Sequence, residues 1–136
     1  LLAAGWVCYA AILVADKDLA VRNAMDRIIR GHGHHYEGVV DAATCLHTLE
    51  QADFDIVFLD LFLGGMDGNE LLQRVREKAP VASVILVSSL DDSVIIDGLL
   101  QQGARAYLVK PVRDAVITDV ITRIASGTIS QDLTPE

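Results

Sequence analysis

The sequence predicts an α/β domain in which a parallel sheet carries helices on both faces. Short apolar runs alternate five times with segments of helical period along the 136 residues. The apolar runs lack the every-second-residue polarity of strands with one wet face, so they fit strands that are covered on both sides. Five strand–helix pairs in a chain of this length imply one core, and right-handed crossovers leave few strand orders.

The predicted strands and helices follow one another from residue 8 to residue 125. Each strand is an apolar run bounded by polar residues or glycine, and each helix has apolar residues three and four positions apart. The strands are predicted at residues 8–15, 39–40, 55–61, 84–88 and 106–109. The helices are predicted at residues 18–31 with Asp18 as the N-cap, 44–51, 69–78, 92–102 and 114–125.

Composition restricts the class of partner. The formal net charge of −8 disfavours direct binding of nucleic acid, because phosphate backbones select basic surfaces. The two cysteines, Cys8 and Cys45, have neither CxxC nor metal-ligand spacing, which predicts a reduced, cytoplasmic protein. Residues 1–15 carry no charge. A spanning helix needs about 20 apolar residues, so we expect a short apolar extension that runs into a buried strand, and no membrane segment.

Three histidines, His32, His34 and His35, follow the first predicted helix. Glycines and polar residues surround them, which favours a solvated loop over a metal site. A histidine also suits the negative C-terminal end of a helix dipole. We therefore expect no ligand role for this group.

Four polar residues mark the carboxyl ends of predicted strands: Asp16, Asp60, Ser88 and Lys110. In open α/β sheets, ligands bind beyond this edge of the sheet. Two carboxylates, a hydroxyl and an ammonium that meet there would suit a cation together with a phosphoryl group.

Four segments resemble, in order and in spacing, those of CheY-like response-regulator receiver domains. They are ILVADKD, DIVFLDLFLGGMDG, VILVSS and GARAYLVKPV, and the likeness covers about residues 8–125. The resemblance implies a flavodoxin-like (βα)5 three-layer sandwich with a five-stranded parallel sheet in the order 2-1-3-4-5. It divides the chain into an extension at residues 1–7, a receiver at 8–127 and a tail or linker at 128–136.

The resemblance also implies a chemistry for the four polar residues. Asp60 would accept a phosphoryl group from a partner histidine kinase or phosphotransfer protein, and Lys110 and Ser88 would contact that group. Mg2+ would be held by Asp16, Asp60 and the carbonyl of Phe62. Ser88, Tyr107 and Pro111 would form the switch, in which the Tyr107 ring turns inward once Ser88 has moved and Pro111 matches the family's cis proline.

Lys17 departs from the family pattern, because most phosphorylatable receivers have a second acidic residue at this position that ligates the metal. A unit-charge pair about 5 Å apart contributes about 3 kcal/mol at an effective dielectric near 20. The substitution is therefore expected to weaken Mg2+ binding more than about tenfold, unless Lys17 points to solvent or Asp18 bends inward as a substitute ligand. A sharper hypothesis is that the Lys17 ammonium partly replaces the cation.

Smaller departures concern the loops around the site. Gly64 stands where the family usually has proline, which should loosen the loop after Asp60. Phe62 and Leu90 occupy the positions that influence hydrolysis in the family, and their apolar side chains cannot orient water. We therefore expect the phosphoryl group to be lost slowly. The resemblance also implies that the domain catalyses its own phosphorylation and is otherwise no enzyme.

Two alternatives stay open, and so do the partners of the chain. A pseudo-receiver would keep the fold as a binding module with impaired Mg2+ binding because of Lys17. A phosphatase of the haloacid-dehalogenase type would use Asp16 as nucleophile and Asp18 as general acid, but Asp60 would then have no role. The tail from Thr128 could precede an output domain, and a homodimer is a further option.

Overall fold

A computed structural model describes residues 9–126, which fold around one parallel sheet. The strand order is β2-β1-β3-β4-β5, and a helix follows each strand. The predicted fold class and strand order are thus confirmed. The expected extension at residues 1–7 and tail at residues 128–136 lie outside the described residues.

The strands are short, and all but the second are mainly apolar. They comprise β1 at Ala11–Ala15, β2 at His35–Val39, β3 at Ile56–Leu59, β4 at Ser83–Ser88 and β5 at Ala106–Val109. All pairs are parallel, and the registers Ala15↔Val39, Ala15↔Leu59 and Ser88↔Val109 align the carboxyl ends of neighbouring strands. This alignment collects the residues that follow the strands at one edge of the sheet.

The helices occupy both faces of the sheet. They comprise α1 at Leu19–Gly31, α2 at Ala42–Gln51, α3 at Gly68–Lys78, α4 at Ser93–Gln101 and α5 at Asp114–Ala125. None of the helices within residues 9–126 is long and apolar enough to cross a bilayer. The predicted bounds of α5 agree with the structure. Those of α1 and α3 differ from it by one residue at the first end, and those of α4 differ by one residue at both ends.

The two sides of the sheet form separate apolar layers. The side chains of Leu13, Val57 and Leu86 pack with α2, α3 and α4, whereas those of Ile12, Phe58 and Ile85 pack with α1 and α5. Neighbouring residues of a strand point to opposite faces, so one apolar run supplies both layers. Each fully buried side chain of this size contributes about 1.5–3 kcal/mol, so these strands provide much of the stability.

Aspartates begin four of the five helices. Asp18, Asp41, Asp67 and Asp92 are the N-caps of α1 to α4, and each carboxylate accepts a backbone N–H of the first turn. Such a cap typically contributes about 1 kcal/mol, and its charge also suits the positive end of the helix dipole. Several of the acidic residues behind the net charge of −8 therefore have a local structural role.

The strand β2 and its histidines differ from the prediction. The strand begins at His35 and ends at Val39, whereas Val40 is exposed beyond it. His34 is buried, and its Nδ1 accepts the backbone N–H of Ala10 at 3.0 Å. The predicted solvated loop is therefore wrong at His34 and His35. Glycines and polar residues hid a short edge strand, because pairing with β1 overrides local composition.

Acid is expected to destabilise the protein through His34. Burial, with a smaller contribution from His32, lowers the pKa of His34 below its ordinary 6.5, although Asp55 opposes this shift. A histidine with a depressed pKa contributes stability above pH 6.5, and this stability is lost as the pH falls through the folded-state pKa. Between about pH 7 and pH 5, wild type should lose about 1 kcal/mol more unfolding free energy than His34→Asn.

Urea unfolding at a series of pH values measures this difference. Asparagine at position 34 keeps an acceptor for the Ala10 N–H but does not titrate. The carboxylates are common to both proteins, so their effects cancel in the comparison. Parallel curves of stability against pH would show that His34 does not contribute to acid sensitivity.

Candidate functional site

The four polar residues predicted at the carboxyl ends of strands all lie at one edge of the sheet. Asp16 and Asp60 extend β1 and β3, since their N–H groups donate to the carbonyls of Val39 and Ala15 at 3.1 Å and 3.0 Å. The Lys110 N–H donates to the carbonyl of Ser88, the last residue of β4, at 2.8 Å. The sheet hydrogen bonds therefore fix the backbone from which each of these side chains starts.

The Lys110 ammonium bridges the two carboxylates. Its Nζ lies 2.8 Å from Asp16 Oδ2 and 3.1 Å from Asp60 Oδ2. The side chains of Asp16 and Asp60 are only 5% and 10% exposed, against 24% for Lys110. Two mostly buried carboxylates therefore share one cation, and the group keeps one net negative charge.

Each carboxylate is also held by its own backbone turn. Asp16 Oδ1 accepts the N–H of Asp18, and Asp60 Oδ1 accepts the N–H of Phe62, both at 2.9 Å. Hydrogen bonds of this i to i+2 kind fix the orientation of the carboxylate relative to the strand end. One oxygen of each aspartate is thus occupied by the turn, and the other faces Lys110.

The balance of burial and charge sets the protonation of Lys110. Burial by itself would lower the pKa of the ammonium, but the hydrogen bonds and charges of Asp16 and Asp60 outweigh it and raise the pKa above its ordinary 10.5. Lys110 is therefore charged at neutral pH. A fixed positive charge beside Asp60 is suited to oxygen atoms that carry negative charge.

Ser88 and Tyr107 are connected through Leu90. The Leu90 N–H donates to Ser88 Oγ at 3.3 Å, and the Tyr107 hydroxyl donates to the Leu90 carbonyl at 2.7 Å. Burial raises the pKa of Tyr107, with Asp60 and Asp91 adding to the rise and Ser88 opposing it. The resemblance implies a ring that turns inward on activation, but the Tyr107 ring is already buried here.

The loop after Asp60 has a shape that needs glycine. Gly64 and Gly65 have φ angles of 94° and 95°, which lie in the left-handed region. Proline at position 64 would be confined to φ near −65° and could not adopt this conformation. The expected loosening of the loop is therefore an incomplete description, because the glycines permit a different path. The cis peptide bond between Lys110 and Pro111 lies on the other side of the site.

Residues 16–18 form the turn between β1 and α1, which we call the acidic turn. This turn offers one carboxylate, that of Asp16, to the site. Lys17 is exposed, and Asp18 is turned away because its Oδ1 accepts the N–H of Ala20 at the start of α1. The predicted inward movement of Asp18 would break this helix cap. Sequence reasoning missed Arg22, whose Nη1 donates to the carbonyls of Asp16 and Lys17. The only signal was a cation near the N-terminus of a helix, where the dipole disfavours it.

The donor atoms fit Mg2+, with fewer carboxylates than the family pattern supplies. Asp16 and Asp60 each direct one oxygen to Lys110 Nζ, so their carboxylates lie close together, and the Phe62 backbone belongs to the turn around Asp60. Within residues 9–126, no three side chains of His, Cys, Asp or Glu are grouped to hold a metal. Mg2+ often binds through one or two carboxylates and keeps several waters, so this set is chemically adequate.

Removal of the shared cation is expected to destabilise the protein. Lys110→Met should lower the free energy of unfolding by about 2–3 kcal/mol, because two mostly buried carboxylates would then repel each other. Adding Asp16→Asn should restore most of this loss, since one of the two charges is gone. Urea unfolding at neutral pH without divalent cations measures both effects.

A charge-matched control separates local repulsion from overall charge. Asp53→Asn removes one negative charge at an exposed position and should restore little of the stability lost in Lys110→Met. The pairing described for Lys110 would be refuted if Asp16→Asn and Asp53→Asn had equal effects in that background.

Comparison with known proteins places this site in a family. A family model for the response regulator receiver domain matches residues 12–122. The response regulator FleR of Pseudomonas aeruginosa is 31% identical over 118 residues, which are 87% of this chain and 25% of that protein. The transcriptional regulatory protein AfsQ1 of Streptomyces coelicolor is 30% identical over 107 residues, which are 79% of this chain and 47% of that protein. The chain thus spans less than half the length of either relative.

Solved structures agree with the family model. A CheY-like receiver domain protein from Methanospirillum hungatei superimposes with a TM-score of 0.78 at 27% identity, over 83% of this chain and 90% of that one. A response regulator of the LuxR family from Aurantimonas superimposes with a TM-score of 0.77 at 26% identity, over 88% of this chain and 86% of that one. The fold, the polar edge of the sheet and these matches agree: the chain belongs to the response regulator receiver domain family of two-component signalling.

Proposed function

We propose that this domain accepts a phosphoryl group on Asp60 from the phosphohistidine of a partner kinase or phosphotransfer protein and thereby switches a partner or output domain. The observation that carries the proposal is the Lys110 ammonium, which lies 3.1 Å from Asp60 Oδ2 and 2.8 Å from Asp16 Oδ2. A carboxylate nucleophile with an adjacent fixed cation has the charge distribution that phosphoryl transfer needs.

In the proposed reaction, an Asp60 oxygen attacks the phosphorus of the partner's phosphohistidine. A P–O bond forms and the P–N bond breaks, so the electron pair leaves with the imidazole nitrogen, which then takes up a proton. Lys110 exchanges its contact with Asp60 Oδ2 for the phosphoryl oxygens, and the Ser88 hydroxyl donates to one of them. Mg2+ bound by Asp16, Asp60 and the Phe62 carbonyl would neutralise charge on the phosphoryl group.

The hydrogen bonds around Leu90 suggest how the signal reaches the surface. Ser88 Oγ accepts the Leu90 N–H, and the Leu90 carbonyl accepts the Tyr107 hydroxyl. Movement of Ser88 towards a phosphoryl group would disturb the first bond and, through the backbone of Leu90, the second. We propose that this chain of contacts changes the surface formed by α4, β5 and α5.

The family and the composition support a proposal for the partner and the cellular location. Proteins of this family act with histidine kinases, and we propose such a partner in the cytoplasm. The net charge of −8 makes direct nucleic-acid binding by this segment unfavourable. An output domain that follows Thr128 would be one target of the switch, and homodimer formation is a further option for the switched state.

Labelling with acetyl phosphate and Mg2+ is expected to place one phosphoryl group on Asp60, because this carboxylate lies beside the ammonium that would stabilise it. Intact mass and peptide mapping identify the site. Asp60→Asn should abolish the label, Asp16→Asn should slow it about tenfold or more, and Asp53→Asn should label like wild type. After removal of the donor, the half-life should be minutes or longer, since Phe62 and Leu90 cannot orient water.

Each other outcome of this experiment indicates a different function. Label on Asp16 would indicate the phosphatase alternative, although Asp18, its general acid, caps α1. An unlabelled protein that also fails to bind beryllofluoride with Mg2+ would indicate a pseudo-receiver. A half-life of only seconds would contradict the proposed roles of Phe62 and Leu90.

Lys17→Asp is expected to tighten Mg2+ binding about tenfold, because it replaces a positive charge near the site with a potential ligand. Solvent screens an exposed ammonium, so the effect should be smaller at high salt. Calorimetry with Mg2+ and no phosphoryl donor measures the affinity. Equal affinities in wild type and Lys17→Asp would refute both the weakening by Lys17 and the hypothesis that its ammonium partly replaces the cation.

A further inference from the structure

A side chain of α1 holds the backbone of the acidic turn. Arg22 extends from the first turns of α1, and its Nη1 donates to the carbonyl of Asp16 at 2.8 Å and to that of Lys17 at 3.1 Å. Hydrogen bonds from a guanidinium are charge-assisted and stronger than those between neutral groups. A single side chain thus fixes two successive carbonyls of the turn that carries Asp16.

The stem of Arg22 is itself held in place. Tyr36 and Gly38 of the edge strand β2 lie beside it, and a Cβ at Gly38 would come within 3.3 Å of Arg22 Cδ and 2.3 Å of the Tyr36 hydroxyl. Glycine at position 38 therefore leaves the space that the arginine and the tyrosine ring occupy. Arg22 is half-buried in this position, so its guanidinium has little freedom to turn elsewhere.

The position of Arg22 is unfavourable for helix stability alone. The N-terminal end of a helix is positive, and cations placed there are destabilising. The first turn of α1 contains no acidic residue, and the exposed Lys17 adds a second positive charge nearby. The hydrogen bonds to the two carbonyls offset this cost. This indicates that Arg22 stabilises the acidic turn and not α1.

The turn in this chain presents a single carboxylate to the site. Asp18 caps α1 and position 17 is lysine, so Asp16 is the residue of this turn whose carboxylate contacts Lys110. The orientation of Asp16 depends on the turn, because its Oδ1 accepts the N–H of Asp18. A site with one such ligand is more sensitive to the position of that ligand than a site with two.

We propose that Arg22 is a positioning residue: by fixing the carbonyls of Asp16 and Lys17, it keeps the Asp16 carboxylate aimed at Lys110 and at the Mg2+ position. The guanidinium acts through the turn and touches neither the phosphoryl group nor the metal. The inference rests on the proposed phosphoryl-acceptor function, which gives the positioning of Asp16 its purpose. The placement of Asp16 is nevertheless measurable in the metal-free protein.

Two backbone amides report separately on the two carboxylates. The Asp18 N–H donates to Asp16 Oδ1, and the Phe62 N–H donates to Asp60 Oδ1. We compare wild type with Arg22→Met, which keeps an aliphatic stem, and with Arg22→Lys, which keeps a cation. Arg27→Met removes the same charge from an exposed position of α1 and is the matched control.

In metal-free Arg22→Met, NMR hydrogen exchange at the Asp18 amide should accelerate about tenfold, whereas exchange at the Phe62 amide should stay as in wild type. The dissociation constant for Mg2+, measured by NMR titration, should rise about tenfold. Arg22→Lys should recover part of both changes, and Arg27→Met should match wild type in both. Far-UV circular dichroism shows whether each variant is folded.

Opposite results overturn the proposal. If Arg22→Met matched Arg27→Met in amide exchange and in Mg2+ affinity, Arg22 would not position Asp16. If exchange accelerated equally at Asp18, at Phe62 and along β1, the role of Arg22 would be general stability alone. Failure of Asp60 labelling in wild type would instead refute the proposed function and leave the metal-free result at Asp18 unaffected.

Discussion

The Lys110 ammonium contacts the carboxylates of both Asp16 and Asp60, and this contact depends on the order and alignment of the strands in the sheet. Lys110 is 94 residues from Asp16 and 50 from Asp60 in the sequence, so only the sheet brings them together. Lys110 follows β5, and β4 separates that strand from β3, with β1 beyond it. Neighbouring strands are about 4.8 Å apart, so the lysine side chain has to reach across the end of β4. Parallel pairing with aligned carboxyl ends makes this reach sufficient.

Charge imbalance gives the site its chemical character. Two mostly buried carboxylates with one ammonium leave a net negative charge, and each carboxylate already has a backbone N–H partner. A fully neutralised site would have little affinity for a metal ion, and a site without Lys110 would be costly to fold. The observed arrangement lies between these extremes: Lys110 pairs with both carboxylates, and the formal negative charge that remains would favour a cation. The raised pKa of Lys110 is the consequence of the same imbalance.

The features predictable from the sequence were those with a repeating or positional pattern. Apolar runs located β1 and β3, the four polar residues after the strands located the site, and Asp18 was identified as a helix cap. The unpredicted features depend on contacts between distant segments. His34 is buried because the N–H of Ala10, 24 residues away, donates to it. Local composition carries no record of such a pairing, so the sequence predicted a strand only at residues 39–40 and a loop around the histidines that precede it.

The conformations of Tyr107 and of the loop after Asp60 could not be predicted from the sequence either, because they also depend on contacts between distant residues. The inward position of Tyr107 is set by a hydrogen bond to the Leu90 carbonyl, 17 residues before it. The glycines after Asp60 suggested flexibility, but positive φ at Gly64 and Gly65 shows that the loop adopts a path that other residues avoid. In both cases the residue type was informative, whereas its conformation depended on neighbours that are not adjacent in sequence.

The acidic turn shows how structural and functional demands compete within three residues. Asp18 caps α1, and its Oδ1 is taken up by the N–H of Ala20. Lysine at position 17 supplies no ligand, so the requirement for negative charge falls on Asp16. Because the Asp16 side chain bonds to the backbone of its own turn, any movement of that backbone moves the carboxylate. A receiver that has lost one acidic residue from this turn therefore depends more strongly on whatever holds the turn still, and in this fold the only side chain described as bonding to the carbonyls of Asp16 and Lys17 is that of Arg22.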